Sequence, residues 1–162
     1  MTRSSKWRAL AFLGVAILAP LFSAAQNPPA RANMCNACHG PNGNAVLKDM
    51  PSIAGQPKVF IENQLVLIRE GMRDIPQMKG VLDNVPDTEL TELATYYSSL
   101  KIAKPTAQKQ AALHDKGETL SKEMRCGICH LPTYVGRDQM PRLAGQREDY
   151  LLYTMRAMQA NQ

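Results

Sequence analysis

Apolar residues recur along most of this chain at steps of three and four, the spacing of one face of a helix. Pro57 suits the first position of a helix that runs to about Glu70, with Gly71 as its stop. A second helix starts where Asp87 can serve as cap; Leu90, Leu93, Ala94, Tyr97 and Leu100 form its apolar stripe. Residues 109–125 predict a third, weakened by Gly117, and the stretch from Glu148 to about Gln159 repeats the pattern of Lys58–Glu70. Nothing alternates in the manner of a strand, so the pattern predicts an all-α protein.

One apolar stretch has no such period. Ala9–Leu21 is about thirteen residues long, too short to span a bilayer, and follows Arg3, Lys6 and Arg8. With Ser23-Ala24-Ala25 behind it, residues 1–25 read as an export signal cleaved before Gln26. Three basic groups leave with that segment. The remaining chain holds 16 basic and 14 acidic side chains, with no basic stripe or aromatic platform, which argues against nucleic acid as a partner.

The chemistry lies in a pattern that occurs twice, Cys35-Asn-Ala-Cys38-His39 and Cys126-Gly-Ile-Cys129-His130. C-x-x-C-H is the attachment pattern of c-type haem. Each cysteine forms a thioether to a vinyl group, and the following histidine binds the iron from one face. The two copies use all four cysteines of the chain. A thiol redox pair needs no adjacent histidine, and a four-cysteine zinc site would have to join pairs about ninety residues apart, far beyond the usual spacing.

The motifs open longer repeats. CNACHGPNGNAVLKDMPSIAGQPKVFIENQL from Cys35 matches CGICHLPTYVGRDQMPRLAGQREDYLLYTM from Cys126, with an offset of 91 residues at the cysteines and 90 at Ala54-Gly55-Gln56 and Ala144-Gly145-Gln146. The repeat predicts two small helical haem domains, residues 26–104 and 105–162, joined by a linker over Lys101–Gln108. Domains this small bury little core on their own, so the porphyrin should supply the apolar face on which the helices pack.

A closed iron needs a sixth ligand, commonly methionine. Met50, which recurs as Met140, sits about ten residues after His39 on a loop too short to reach round the ring; Met78, in the Asp74-Ile-Pro-Gln-Met-Lys-Gly loop between two helices, can reach the far face. Met72 reads as a packing residue at a helix end.

The segments C-x-x-C-H-G-P-N-G-N, P-S-I-A-G-Q and M-K-G-V-L-D-N-V-P-D-T-E-L resemble those of the bacterial dihaem cytochrome c4 group, tandem class I cytochromes c of the periplasm, over most of the mature chain. The resemblance implies two covalent haems c on Cys35, Cys38, Cys126 and Cys129. It makes His39 and His130 the proximal ligands and Met78 the distal ligand of the first haem. Pro51 and Pro141 occupy the places of prolines whose carbonyls accept a hydrogen bond from the proximal histidine. It implies an electron carrier, not an enzyme. The expected donor is a quinol-oxidising complex or a dehydrogenase and the acceptor a terminal oxidase, with peripheral association to the inner membrane.

The second copy departs from this pattern. The counterpart of Met78 would fall near position 168 or 169, past Gln162, and the counterpart of the Asp87–Leu100 helix is missing. We read this as an incomplete second domain. The alternatives are an open second haem, as in a peroxidase or ligand sensor, or substitution by Met140, Met155 or Met158; at helical spacing the last two read as core packing. His114 reads as a surface or core histidine on the helix before the second motif, and Tyr96 and Tyr97 as core packing or a contact near the haem. Lys48, Lys58, Arg137, Arg142 and Arg147 suit propionate pairing or a docking surface, but as single charges read as solvated.

Overall fold

A computed structural model describes residues 27–104 and 110–160; the proposed signal and residues 105–108 of the linker lie outside the described residues. Six α-helices follow in order: α1 (Ala32–His39), α2 (Lys58–Arg69), α3 (Asp87–Ser99), α4 (Ala111–Glu123), α5 (Cys126–His130) and α6 (Glu148–Gln159). Single 3-10 turns lie at Pro41–Gly43 and Pro76–Met78. Among the described residues the only β feature is an isolated bridge between Arg137 and Met140.

The starts of two helices differ from expectation by one residue. Pro57 has ψ 134°, extended rather than helical, and stands just before α2. Asp87 lies inside α3 and caps nothing. Its carboxylate instead takes a 2.7 Å ion pair from Arg69 at the end of α2, and the same guanidinium nitrogen donates to the Val85 carbonyl. Arg69 thus ties the end of one helix to the start of the next, which a local capping rule does not foresee.

α2 and α3 pack on each other and enclose the core of the first copy. Ala32, Ile61, Leu93, Ala94, Tyr96 and Tyr97 form one cluster, with Cys35, Ile53, Leu65 and Leu100 against it. Leu82, Val85 and Leu90 form a second, to which Leu65, Val66, Ile68, Met78 and Val81 contribute. Leu65 touches both. The rings of Tyr96 and Tyr97 meet edge to face at 5.1 Å, a preferred aromatic geometry. Tyr97 also donates its hydroxyl to the Ala32 carbonyl at 3.1 Å, and Arg31 pairs with Glu89 at 2.8 Å, so α3 holds α1 at two points.

The second copy is built differently. Among its described residues only Arg142 is buried. Met155 and Met158, expected in a core, stand 60% and 68% exposed on α6. Their helical spacing is present, but no described element packs on that face. Met72 likewise stands exposed rather than packed.

The two copies meet through the segments after Pro51 and Pro141. Gln56 donates to the Arg142 carbonyl at 3.0 Å and accepts from the Arg142 amide at 2.8 Å. Gln146 donates to the Ser52 carbonyl at 2.9 Å and accepts from the Ser52 amide at 2.8 Å. Positions 52 and 142, and 56 and 146, are equivalent in the repeat, so the contact is reciprocal, the pattern of a two-fold axis within one chain.

Candidate functional site

α1 carries Cys35, Cys38 and His39 on its last turn and ends at Gly40, with φ 76° and ψ 172°. Only glycine takes this conformation readily, and a Cβ there would lie 2.0 Å from the Asn44 carbonyl oxygen. The turn sends the chain back toward the histidine. His39 Nδ1 lies 2.9 Å from the Pro51 carbonyl oxygen. A carbonyl only accepts, so Nδ1 carries the proton and Nε2 is left as the basic nitrogen. Burial pushes the imidazolium of His39 down, against the opposing effect of the Pro51 contact, and so favours the neutral, ligating form. Cys35 is half-buried beside Tyr97 and burial pushes its thiol up; Cys38 is exposed.

The second motif has the same construction on a shorter helix. His130 Nδ1 lies 2.9 Å from the Pro141 carbonyl oxygen, with Cys126 half-buried and Cys129 exposed on α5. Leu131 follows with φ 67° and ψ 155°, the conformation that Gly40 holds in the first copy. All four thiols are unpaired. Among the described residues no three His, Cys, Asp or Glu side chains gather as a metal-binding group, so the motifs do not converge as a zinc site would require.

Each motif therefore presents two free thiols on one helix and an imidazole with its outer nitrogen engaged and its inner one available. This donor set fits a covalently tethered porphyrin whose iron takes one axial imidazole. Met78 ends the Pro76–Met78 turn and packs with the Leu82, Val85 and Leu90 cluster, on an element separate from α1. Met140 is 38% exposed, and with Met155 and Met158 on the surface no methionine of the second copy is singled out.

Two outcomes at polar residues differ from the sequence reading. Arg142 is 2% exposed rather than solvated. Its guanidinium donates to the Ala54 carbonyl at 2.7 Å, to the Gly55 carbonyl at 3.2 Å and to the Ala144 carbonyl, and desolvation pushes its pKa down. Arg147 is paired with Asp149 at 2.7 Å. His114 remains at the surface beside Asp115. Gln56 and Gln146 were not among the candidates, although a signal existed: the A-G-Q triplet recurs at the 90-residue offset, and a repeated glutamine beside a tight turn implies a repeated polar contact.

Residues 30–96 match the family described as cytochrome c oxidase, cbb3-type, subunit III. Cytochrome c4 of Pseudomonas aeruginosa is 33% identical over 146 residues, covering 86% of this chain and 73% of that protein. A thiosulfate dehydrogenase electron acceptor of Thiomonas intermedia is 34% identical over 153 residues, covering 88% of this chain and 70% of that protein. The crystal structure of reduced recombinant cytochrome c4 from Pseudomonas stutzeri superposes with a TM-score of 0.74 at 30% identity, over 81% of this chain and 77% of that one. The fold is the all-α fold of class I cytochromes c, which hold covalent haem c. With C-x-x-C-H motifs, histidines held for ligation and these relatives, the chain belongs to the cytochrome c4 family and is an electron carrier.

Proposed function

We propose that this protein carries two haems c in the bacterial periplasm, one in each of two domains, residues 26–104 and 105–162, and passes electrons between a quinol-oxidising complex or dehydrogenase and a terminal oxidase. The observation that carries this reading is the identical setting of the two histidines, each with Nδ1 2.9 Å from a proline carbonyl of its own copy. A single working site would leave no reason for the second arrangement.

In this reading Cys35 and Cys38 tether the first haem, and Cys126 and Cys129 the second. His39 and His130 are the proximal ligands, oriented by Pro51 and Pro141. Met78 closes the first iron. The haem supplies the ferric–ferrous couple; the protein sets position, water access and potential. Encounters with partners are brief and use small surfaces. No helix among the described residues is long and apolar enough to cross a membrane. Association with the inner membrane is peripheral in this proposal.

Substituting Met78→Ala tests the first site. The reduced variant should bind carbon monoxide and its first haem should fall in midpoint potential, because a thioether ligand favours ferrous iron. An unchanged potential with no carbon monoxide adduct would remove Met78 from the iron.

The name of the Thiomonas intermedia relative favours a second reading, a dedicated electron acceptor for one periplasmic dehydrogenase. The chemistry is the same and the partner permanent. Stable co-purification with a dehydrogenase would distinguish it from a freely diffusing carrier.

A further inference from the structure

The peptide group joining Pro141 to Arg142 is engaged at both ends. Its carbonyl accepts from His130 Nδ1 at 2.9 Å, and its amide donates to Gln56 Oε1 of the other copy at 2.8 Å. The peptide joining Pro51 to Ser52 is engaged in the same way, by His39 at 2.9 Å and by Gln146 Oε1 at 2.8 Å. Ser52, Gln56 and Arg142 are 6%, 4% and 2% exposed, while Gln146 and both histidines are half-buried. Histidine, peptide and glutamine thus form a short hydrogen-bonded chain that crosses the interface, twice and in opposite directions.

We propose that Gln56 and Gln146 are reciprocal positioning residues, each supporting from the opposite copy the peptide on which a proximal histidine rests, so that each domain sets the potential of its neighbour's haem. The inference rests on the two-haem reading above. An amide whose N–H is already donated has a more electron-rich carbonyl, because hydrogen bonds in a chain polarise one another. That carbonyl draws more strongly on the histidine N–H and makes the imidazole a more basic ligand. A more basic ligand favours ferric iron. Gln56 therefore holds down the potential of the second haem, and Gln146 that of the first.

The effect is gated by contact between the copies. The two halves differ in detail: the Arg142 guanidinium clamps the Ala54 and Gly55 carbonyls beside Gln56 and the Ala144 carbonyl beside Gln146, whereas Ser52 at the equivalent position uses its hydroxyl to accept from the Ala45 amide. Gln146 Oε1 also accepts from the Arg147 amide at 2.9 Å, a second bond that Gln56 does not receive because its neighbour Pro57 has no N–H.

The test is a redox titration of the dihaem protein followed by the haem absorption, on wild type, Gln56→Leu and Gln146→Leu. Leucine keeps the bulk of the side chain and removes the acceptor. The expected result is that each variant raises the midpoint of one wave only, and that the two variants raise different waves. Backbone amide exchange supplies a second readout: Arg142 should lose protection in Gln56→Leu and Ser52 in Gln146→Leu. Should leucine prevent maturation, Gln→Met at the same positions keeps the chain length without the acceptor. Both waves moving together in either variant would mean that the glutamines only hold the domains in place. Two unmoved waves, or a fall in either midpoint, would equally overturn the inference. A wild-type protein without two haem waves would remove the two-haem reading, and this inference with it.

Discussion

At the scale of single residues, the position after each C-x-x-C-H motif shows how one backbone demand is met at different cost. Gly40 meets it freely, whereas Leu131 holds φ 67° and ψ 155° with a side chain attached, a region nearly reserved for glycine. Leu131→Gly should therefore stabilise the holoprotein by about 1 kcal/mol, read from its guanidinium unfolding midpoint, after the extra chain entropy of glycine is offset. No change or a loss would mean that Leu131 packing outweighs the strain. Asp149 gives a pH dependence. The Arg147 guanidinium, with help from the Asp49 and Tyr150 amides, holds its carboxyl at about 2, below the usual 3.8. A depressed carboxylate contributes stability that is complete above its unfolded value and is lost as pH falls through its folded one. The Asp149 contribution should consequently vanish between about pH 4 and pH 2, and Asp149→Asn should flatten the acid-unfolding curve there. The two C-x-x-C-H motifs were legible because haem attachment, the role proposed for them, demands particular residue types at fixed spacing. Arg142 was not: its burial comes from a fold contact 87 and 88 residues away, at Gly55 and Ala54, and no local pattern encodes that.

At the scale of elements, the two copies solve the same packing problem with different parts. In the first, Gly43 at φ 73° leaves room for Tyr97 of α3; a Cβ there would sit 2.8 Å from the Tyr97 ring. The Ile53 and Ala54 amides both donate to the Gly43 carbonyl, and in the second copy Leu143 and Ala144 do so to Tyr134. Tyr134 thus stands at the register of Gly43, and its hydroxyl donates to Ser121 on α4 at 2.9 Å. It ties its turn to the helix before the motif, much as Tyr97 ties α3 to α1. Gly43→Ala should destabilise the protein by about 2 kcal/mol, combining overpacking with a positive φ, as seen in denaturant unfolding. A neutral result would mean that Tyr97 shifts at little cost. Helix existence was legible from periodicity, since α2, α3, α4 and α6 all fall within the predicted stretches. Helix starts and the fate of the α6 stripe were not. Asp87 was drawn from the cap position by Arg69, and Met155 and Met158 have the spacing of a core face without a described element against it.

At the scale of the whole molecule, the internal repeat accounts for the architecture. Two copies of one segment meet through equivalent residues, and the prolines that hold the histidines are followed directly by the residues that join the copies, Ser52 and Arg142. The site and the interface are the same stretch of chain, which gives the domains a physical means of sensing one another. The family was legible in the motifs, but the contact was not, because hydrophobic periodicity says nothing about which polar side chains cross between domains. The central claim is that each motif holds one haem after export and signal removal. Its most direct test is the intact mass of the protein purified from the periplasm of a host that matures c-type haem. The account predicts the polypeptide beginning at Gln26 plus two haems. A mass with one haem or none would contradict it.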